Sequence, residues 1–246
     1  MPAWTAFAGF VGVVLAGLLL LSRLSAGALT PTESTADYPP TLSDRVVDSP
    51  PSDRAPSTTA LLANVVVSQG LFATVLVTGL WVAGVPAAAL GLSADAIDPV
   101  ALGAGVGVGV ALHALNTLGS RLGDRFGFGD TAALREALAP ESAAGWAVLL
   151  FVALPLVAGF EELLFRGILV GAFATGFGVS PWLLAACSSV AFALGHGAQG
   201  RVGIVVTGLL GFVLAAAFVV TDSLLTVVVA HYLVNALEFV VNERGV

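Results

Sequence analysis

Lysine is absent from the chain, and one cysteine and one methionine occur among its 246 residues. The single thiol, Cys187, excludes an intrachain disulfide and leaves the redox compartment unmarked. Lying in an apolar stretch, it is expected to act as a small buried hydrophobe. Charge is scarce as well. Only 10% of the residues are charged, against about 25% in ordinary soluble domains. Nine basic and sixteen acidic residues give a net charge of −7, which excludes a basic nucleic-acid-binding surface. Every basic side chain is arginine, and aspartate concentrates in the loops. This balance suggests a prokaryotic source with high salt or high GC content, because excess acidity is one lever used by halophiles.

What fills the chain instead is apolar. Hydrophobic residues make up 57% and the mean hydropathy is +0.98, as in an integral membrane protein. Several runs reach the ~20 residues that a helix needs to cross the hydrocarbon. The alternating segments of ~10 residues that mark a membrane β-barrel are missing. The expected fold is therefore all-α, a polytopic transmembrane bundle of about seven spans, within a range of roughly six to eight. The spans are placed at 4–22, 60–88, 99–119, 146–172, 181–198, 202–220 and 223–241.

Three regions follow. Residues 1–59 hold the first span and a Pro/Ser/Thr/Asp-rich stretch at 23–58, containing Pro39–Pro40 and Pro50–Pro51. That composition cannot bury a core and reads as a flexible linker. The first span lacks the basic start of a signal peptide and exceeds its usual apolar length, so an uncleaved helix is expected. Residues 60–143 hold two spans and a segment at 120–141, where Arg121, Asp124, Arg125, Asp130, Arg135 and Glu136 alternate with apolar residues. It suits an interfacial helix. Residues 144–246 carry the remaining four spans.

The arginines orient these spans. Arg23, Arg45, Arg54, Arg121, Arg125, Arg135, Arg201 and Arg244 all follow odd-numbered spans, whereas the opposite loops carry Asp95, Asp98 and Asp222. The positive-inside rule then puts the N-terminus outside and the C-terminus in the cytoplasm. No internal repeat is evident, which counts against many transporter folds.

The remaining charges lie where an anchor would not place them. Glu161, Glu162 and Arg166 sit within the apolar run Ala144–Ala174, and ionisable residues at such depth mark functional sites by default. Glu162 and Arg166 are four apart with the glutamate first, the better order for a helical ion pair. Glu161 projects about 100° away, so it is free to exchange a proton. Phe192 and His196, four apart, share a face in the fifth span, and His231 and Asn235 share one in the seventh. His113 and Asn116 read as interhelical glue. Glu238 lies on the His231 face but too near the helix end for the site. Two carboxylates, two imidazoles, an amide and a guanidinium could activate water and stabilise an oxyanion. Glu161, His196 and His231 could also ligate zinc, assembled from different helices because no H-E-x-x-H motif is present. For Glu161 to meet His196, the fourth span must start late, tilt or bend near Pro155.

Glu161-Glu162-x-x-x-Arg166, Phe192-x-x-x-His196 and His231-x-x-x-Asn235, in this order on separate apolar helices, resemble the motifs of the CPBP intramembrane proteases. This family is also called Abi. It includes the type II CAAX prenyl endopeptidases and bacteriocin-processing or self-immunity proteins. The resemblance covers residues 144–242 and implies peptide-bond hydrolysis within the membrane, on a membrane-associated or lipidated peptide or protein. It implies that Glu161 and His196 activate water, that His231 and Asn235 stabilise the oxyanion, that Glu162 and Arg166 hold the first motif helix, and that Phe192 walls the cavity. Family members have been described as both metallo- and glutamate-dependent. Asn235, a poor zinc ligand and a natural oxyanion donor, tilts the reading toward metal-independent glutamate catalysis. An ion- or proton-coupled transporter could use the same side chains, and a non-catalytic membrane scaffold could retain them.

Overall fold

The computed structural model describes residues 1–29, 57–96, 98–125 and 132–243. Most of the polar linker lies outside the described residues, as do Arg45, Arg54, Asp130 and Arg244 and the side chains of Arg121, Asp124, Arg125 and Arg201. The helices are α1 (Trp4–Leu29), α2 (Thr58–Ala83), α3 (Pro99–Arg125), α4 (Ala132–Leu138), α5 (Ala143–Phe177), α6 (Pro181–Gly195), α7 (Gly200–Thr221) and α8 (Leu224–Glu243). Among the described residues there is no strand. Six helices (α1, α2, α3, α5, α7 and α8) are long and apolar enough to cross a membrane. The seventh, α6, has 15 residues and rises only ~22 Å, short of the ~30 Å hydrocarbon. The protein is thus a polytopic helical bundle.

The bundle is organised around α5. On one side, Phe7 and Val11 of α1 and Leu76 and Leu80 of α2 pack against Phe160, Leu164 and Ile168. On the other, Val170 meets a core of Leu112 from α3, Ala185 from α6, Leu214 and Phe218 from α7, and Val227 and Ala230 from α8. Helix α1 therefore contributes to the interior. Cys187, expected to be buried, is exposed instead. The inward face of α6 is taken by Ala185, Ser188, Ser189 and Phe192, and Cys187 falls between those turns.

Several boundaries differ from the hydropathy reading. Helix α2 stops at Ala83 because Gly84 adopts φ +67°, and its N–H returns to the Leu80 and Trp81 carbonyls. A glycine in this left-handed cap, with Pro86 following, is a strong stop that hydropathy alone cannot register. The chain then dips back against the bundle in two 3₁₀ turns, Ala87–Leu90 and Ala94–Ala96, which bury Ala89, Leu90 and Ala96. This loop is tied to the start of α8: Leu224 N–H donates to the Gly91 carbonyl at 2.9 Å, and Ser223 Oγ to the Ala96 carbonyl at 2.5 Å. The segment 120–141 is described only in part, with residues 126–131 outside the described residues. Helix α3 continues to Arg125, and the short α4 follows.

Helix α8, which carries His231 and Asn235, is held along α3 by close backbone approach. Gly105 and Gly109 face it, and a Cβ on Gly109 would stand 2.9 Å from both the Ala230 carbonyl oxygen and Leu233 Cβ. Small residues four apart permit this approach in membranes. Gly109→Val should consequently destabilise the protein by about 1–3 kcal/mol through overpacking. Unfolding midpoints in detergent, with outward-facing Gly107→Val as control, test this; equal midpoints would refute it. Further along, Glu238 accepts from Asn116 Nδ2 at 2.6 Å and lies 3.3 Å from His113 Nδ1. Arg135 of α4 approaches Glu238 at 3.7 Å and bonds Glu243 at 2.6 Å. This polar junction joins α3, α4 and α8.

Candidate active site

The glutamate pair sits where α5 changes its winding. Residues Leu149–Ala153 are π-helical, Leu154–Glu162 α-helical, and Leu163–Ala172 π-helical again. Pro155 has no N–H, and its ring presses on the preceding turn; the wider winding just before it gives that ring room. Wide turns of this kind recur at functional sites. Beyond Glu162, a serine from the next helix serves the π segment, with Ser188 Oγ donating to the Phe165 carbonyl at 2.6 Å. A glycine fits it to its surroundings: a Cβ on Gly171 would collide with the Ala89 carbonyl oxygen of the dipping loop.

Glu162 and Arg166 are both 0% exposed. Arg166 Nη1 donates to Glu162 Oε1 at 2.9 Å, and Nη2 reaches across to the Gly211 carbonyl of α7 at 2.7 Å. The guanidinium also lies over the Phe192 ring, 4.7 Å from its centroid, a favourable placement for a cation. Glu162 Oε1 has a second partner, His231 Nδ1, at 2.6 Å. A carboxylate accepts, so the imidazole carries its proton on Nδ1 and directs Nε2 elsewhere. Nε2 faces Glu161, whose Oε2 stands 3.7 Å away, too far for a direct hydrogen bond.

His196 lies at the end of α6, with φ −100° and ψ 27°, and not inside a span reaching residue 198. Its Nδ1 is 2.8 Å from the Phe192 carbonyl. A carbonyl can only accept, so Nδ1 bears the proton and a neutral ring keeps its lone pair on Nε2. The Phe192 ring neighbours both imidazoles, its centroid 4.5 Å from that of His196 and 6.1 Å from that of His231. Phe165 braces it edge-on at 4.9 Å.

The structure thus gathers Glu161, Glu162, Arg166, Phe192 and His231 into one contiguous cluster, and His196 adjoins it through the ring and carbonyl of Phe192. No hydrogen bond or ion pair joins Glu161 to His196; the nearer imidazole to Glu161 is His231. Asn235, one turn along α8, is half-buried, and its side chain makes no hydrogen bond among the described residues. Among the described residues no three His, Cys, Asp or Glu side chains stand close enough to hold a metal ion. Glu161, His196 and His231 therefore do not fit as a zinc set in this arrangement. Within the cluster Glu161 Oε2, Glu162 Oε2 and Arg166 Nε are buried without a hydrogen-bond partner. Motif reading missed Ser188 and Gly211; their contributions pass through main-chain carbonyls, for which side-chain patterns carry no signal. Glu238, placed outside the site on sequence grounds, belongs to the α3–α4–α8 junction.

No curated protein and no solved structure gives a match to this chain. The segment containing α5, α6, α7 and most of α8, residues 143–237, matches the family model described as type II CAAX prenyl endopeptidase Rce1-like, the same family to which the glutamate, histidine and asparagine motifs point.

Proposed function

We propose that this chain is an intramembrane endopeptidase that hydrolyses a peptide bond in a membrane-associated or lipidated protein or peptide. The observation that carries the reading is the half-buried Glu161 facing the buried His231 at 3.7 Å, beside the Glu162–Arg166 ion pair. A charged framework of this kind is expensive inside a membrane. Hydrolysis gives every part of it a task.

In the proposed reaction Glu161 takes a proton from water, assisted by the Nε2 lone pair of His196. The hydroxide oxygen bonds to the scissile carbonyl carbon, whose oxygen becomes an oxyanion. Asn235 Nδ2 and His231 Nε2 donate to that oxygen. For His231 to do so while Nδ1 donates to Glu162, its ring carries both protons; two carboxylates, a guanidinium and an imidazolium then sum to zero. The C–N bond breaks as Glu161 returns the proton to the leaving nitrogen, giving a carboxylic acid and an amine. Glu162, Arg166 and Phe192 fix the ring positions. Metal-independent glutamate catalysis is the form this donor arrangement favours.

The acidic, lysine-free composition points to a prokaryotic cell membrane, in which the positive-inside rule puts the N-terminus outside and the C-terminus in the cytoplasm. The bundle end bearing Arg23, Arg135 and the α6–α7 junction would then face the cytoplasm. The test is a comparison of peptide termini in membrane fractions from cells carrying the wild type or Glu161→Gln. New termini that depend on Glu161 are the expected result. Solute flux into proteoliposomes, with no Glu161-dependent termini, would overturn the proposal in favour of a transporter.

A further inference from the structure

We infer that Gly211 of α7 is a positioning residue: its carbonyl and its bare Cα together set Arg166, and through Arg166 and Glu162 they set the ring of His231. Two observations lead here. The first is a continuous chain of contacts through three helices. The Gly211 carbonyl accepts from Arg166 Nη2 at 2.7 Å, Arg166 Nη1 donates to Glu162 Oε1 at 2.9 Å, and the same oxygen accepts from His231 Nδ1 at 2.6 Å. A planar guanidinium with donors in a fixed fork can span a carboxylate and a carbonyl only from one position. Moving either acceptor moves the other contact.

The second observation is steric and independent of those hydrogen bonds. A Cβ built on Gly211 would lie 2.9 Å from Phe192 Cδ1 and 3.3 Å from Arg166 Nη2. Phe192 cannot simply step aside. Its ring is 4% exposed, braced edge-on by Phe165 at 4.9 Å and flanked by His196 at 4.5 Å. A methyl group at this position would therefore displace the guanidinium, the ring it stacks on, or both. At Gly208 of the same helix the requirement is weaker. A Cβ on Gly208 would press only on Ala193 Cβ, at 3.2 Å, squeezing α6 against α7 without touching Arg166.

The inference does not depend on whether the site cleaves peptides, and neither does its test. The chain has three histidines, His113, His196 and His231, so ¹⁵N-histidine labelling of the full protein in detergent yields a small set of imidazole signals, assignable by single substitutions. Gly211→Ala is expected to shift the His231 Nδ1–H resonance, which reports the bond to Glu162, while leaving His113 in place. Gly208→Ala should leave His231 unmoved. Arg166→Lys, which keeps the charge but loses the fork, should shift His231 with Gly211 intact, and adding Gly211→Ala to it should produce no further change. Should Gly211→Ala fail to fold, Arg166→Lys alone still decides whether His231 is set through the guanidinium. An unmoved His231 in folded Gly211→Ala or in Arg166→Lys would overturn the inference, and so would an equal shift in Gly208→Ala.

Discussion

Arg166→Met is expected to destabilise the protein by about 3–5 kcal/mol, the range found when one partner of a buried ion pair is removed. Arg166 and Glu162 are each 0% exposed, so no solvent can replace the lost partner. Methionine fills much of the volume, but Glu162 keeps only His231 as a donor and the Gly211 carbonyl loses Arg166 Nη2. The Phe192 ring also loses the cation over its face. The companion variant makes the expectation specific. Arg166→Met combined with Glu162→Gln should be milder than Arg166→Met alone, because the double change removes the uncompensated charge along with its partner. Unfolding in detergent followed by helical signal compares the wild type, both single variants and the double variant. Wild-type stability for Arg166→Met, or a double variant as damaged as the sum of both single changes, would show that the pair is not what holds this helix.

The second large effect is on chemistry and leaves stability nearly untouched. Glu161→Gln should reduce Glu161-dependent cleavage by about 10²–10⁴-fold, the contribution typical of a positioned general base. Its melting point should stay close to that of the wild type. Glu161 is the less constrained carboxylate: its contact with His231 is 3.7 Å, and its side chain retains 13% exposure. Glutamine has the same shape and can still take part in hydrogen bonding, but it cannot take a proton from water. Glu162→Gln is the contrasting case. It should lower stability as well as activity, because Glu162 Oε1 serves both Arg166 and His231. Two adjacent glutamates are thus separable by experiment, one through turnover and the other through turnover and folding together. Cleavage retained in a folded Glu161→Gln protein would remove the base from the proposed reaction.

The division between these glutamates was partly visible without a structure. Spacing of four, with the glutamate first, pairs Glu162 with Arg166 on any helix, and the 2.9 Å contact is that local geometry. Spacing is silent on what lies across the interface. From motif order Glu161 was expected opposite His196, yet the imidazole it faces is His231. The difference follows from two features that hydropathy cannot register. Helix α6 ends at Gly195, leaving His196 at a helix terminus bonded to its own preceding turn. The winding of α5 widens on both sides of the glutamates, which changes the angle at which each successive side chain leaves the helix. Cys187 shows a similar limit: apolar surroundings in sequence predicted burial, but in a membrane protein the outward face is apolar as well, and Cys187 lies there.

Sequence by itself determined that the chain is an all-helical membrane bundle, because the transfer of apolar side chains and the need to satisfy every backbone group in lipid act locally along the chain. It also determined which ionisable residues are out of place and which of them can pair within one helical turn. The tertiary structure alone decided that Glu162 is shared between Arg166 and His231, that Gly211 and Ser188 serve the site through main-chain carbonyls, and that Gly109 lets the His231 helix lie against α3. The hydrogen bonds between helices among these join residues 23, 45 and 69 positions apart. They depend on how closely two backbones approach and on the rotation of each helix about its axis. Both are fixed only when all the helices are packed together.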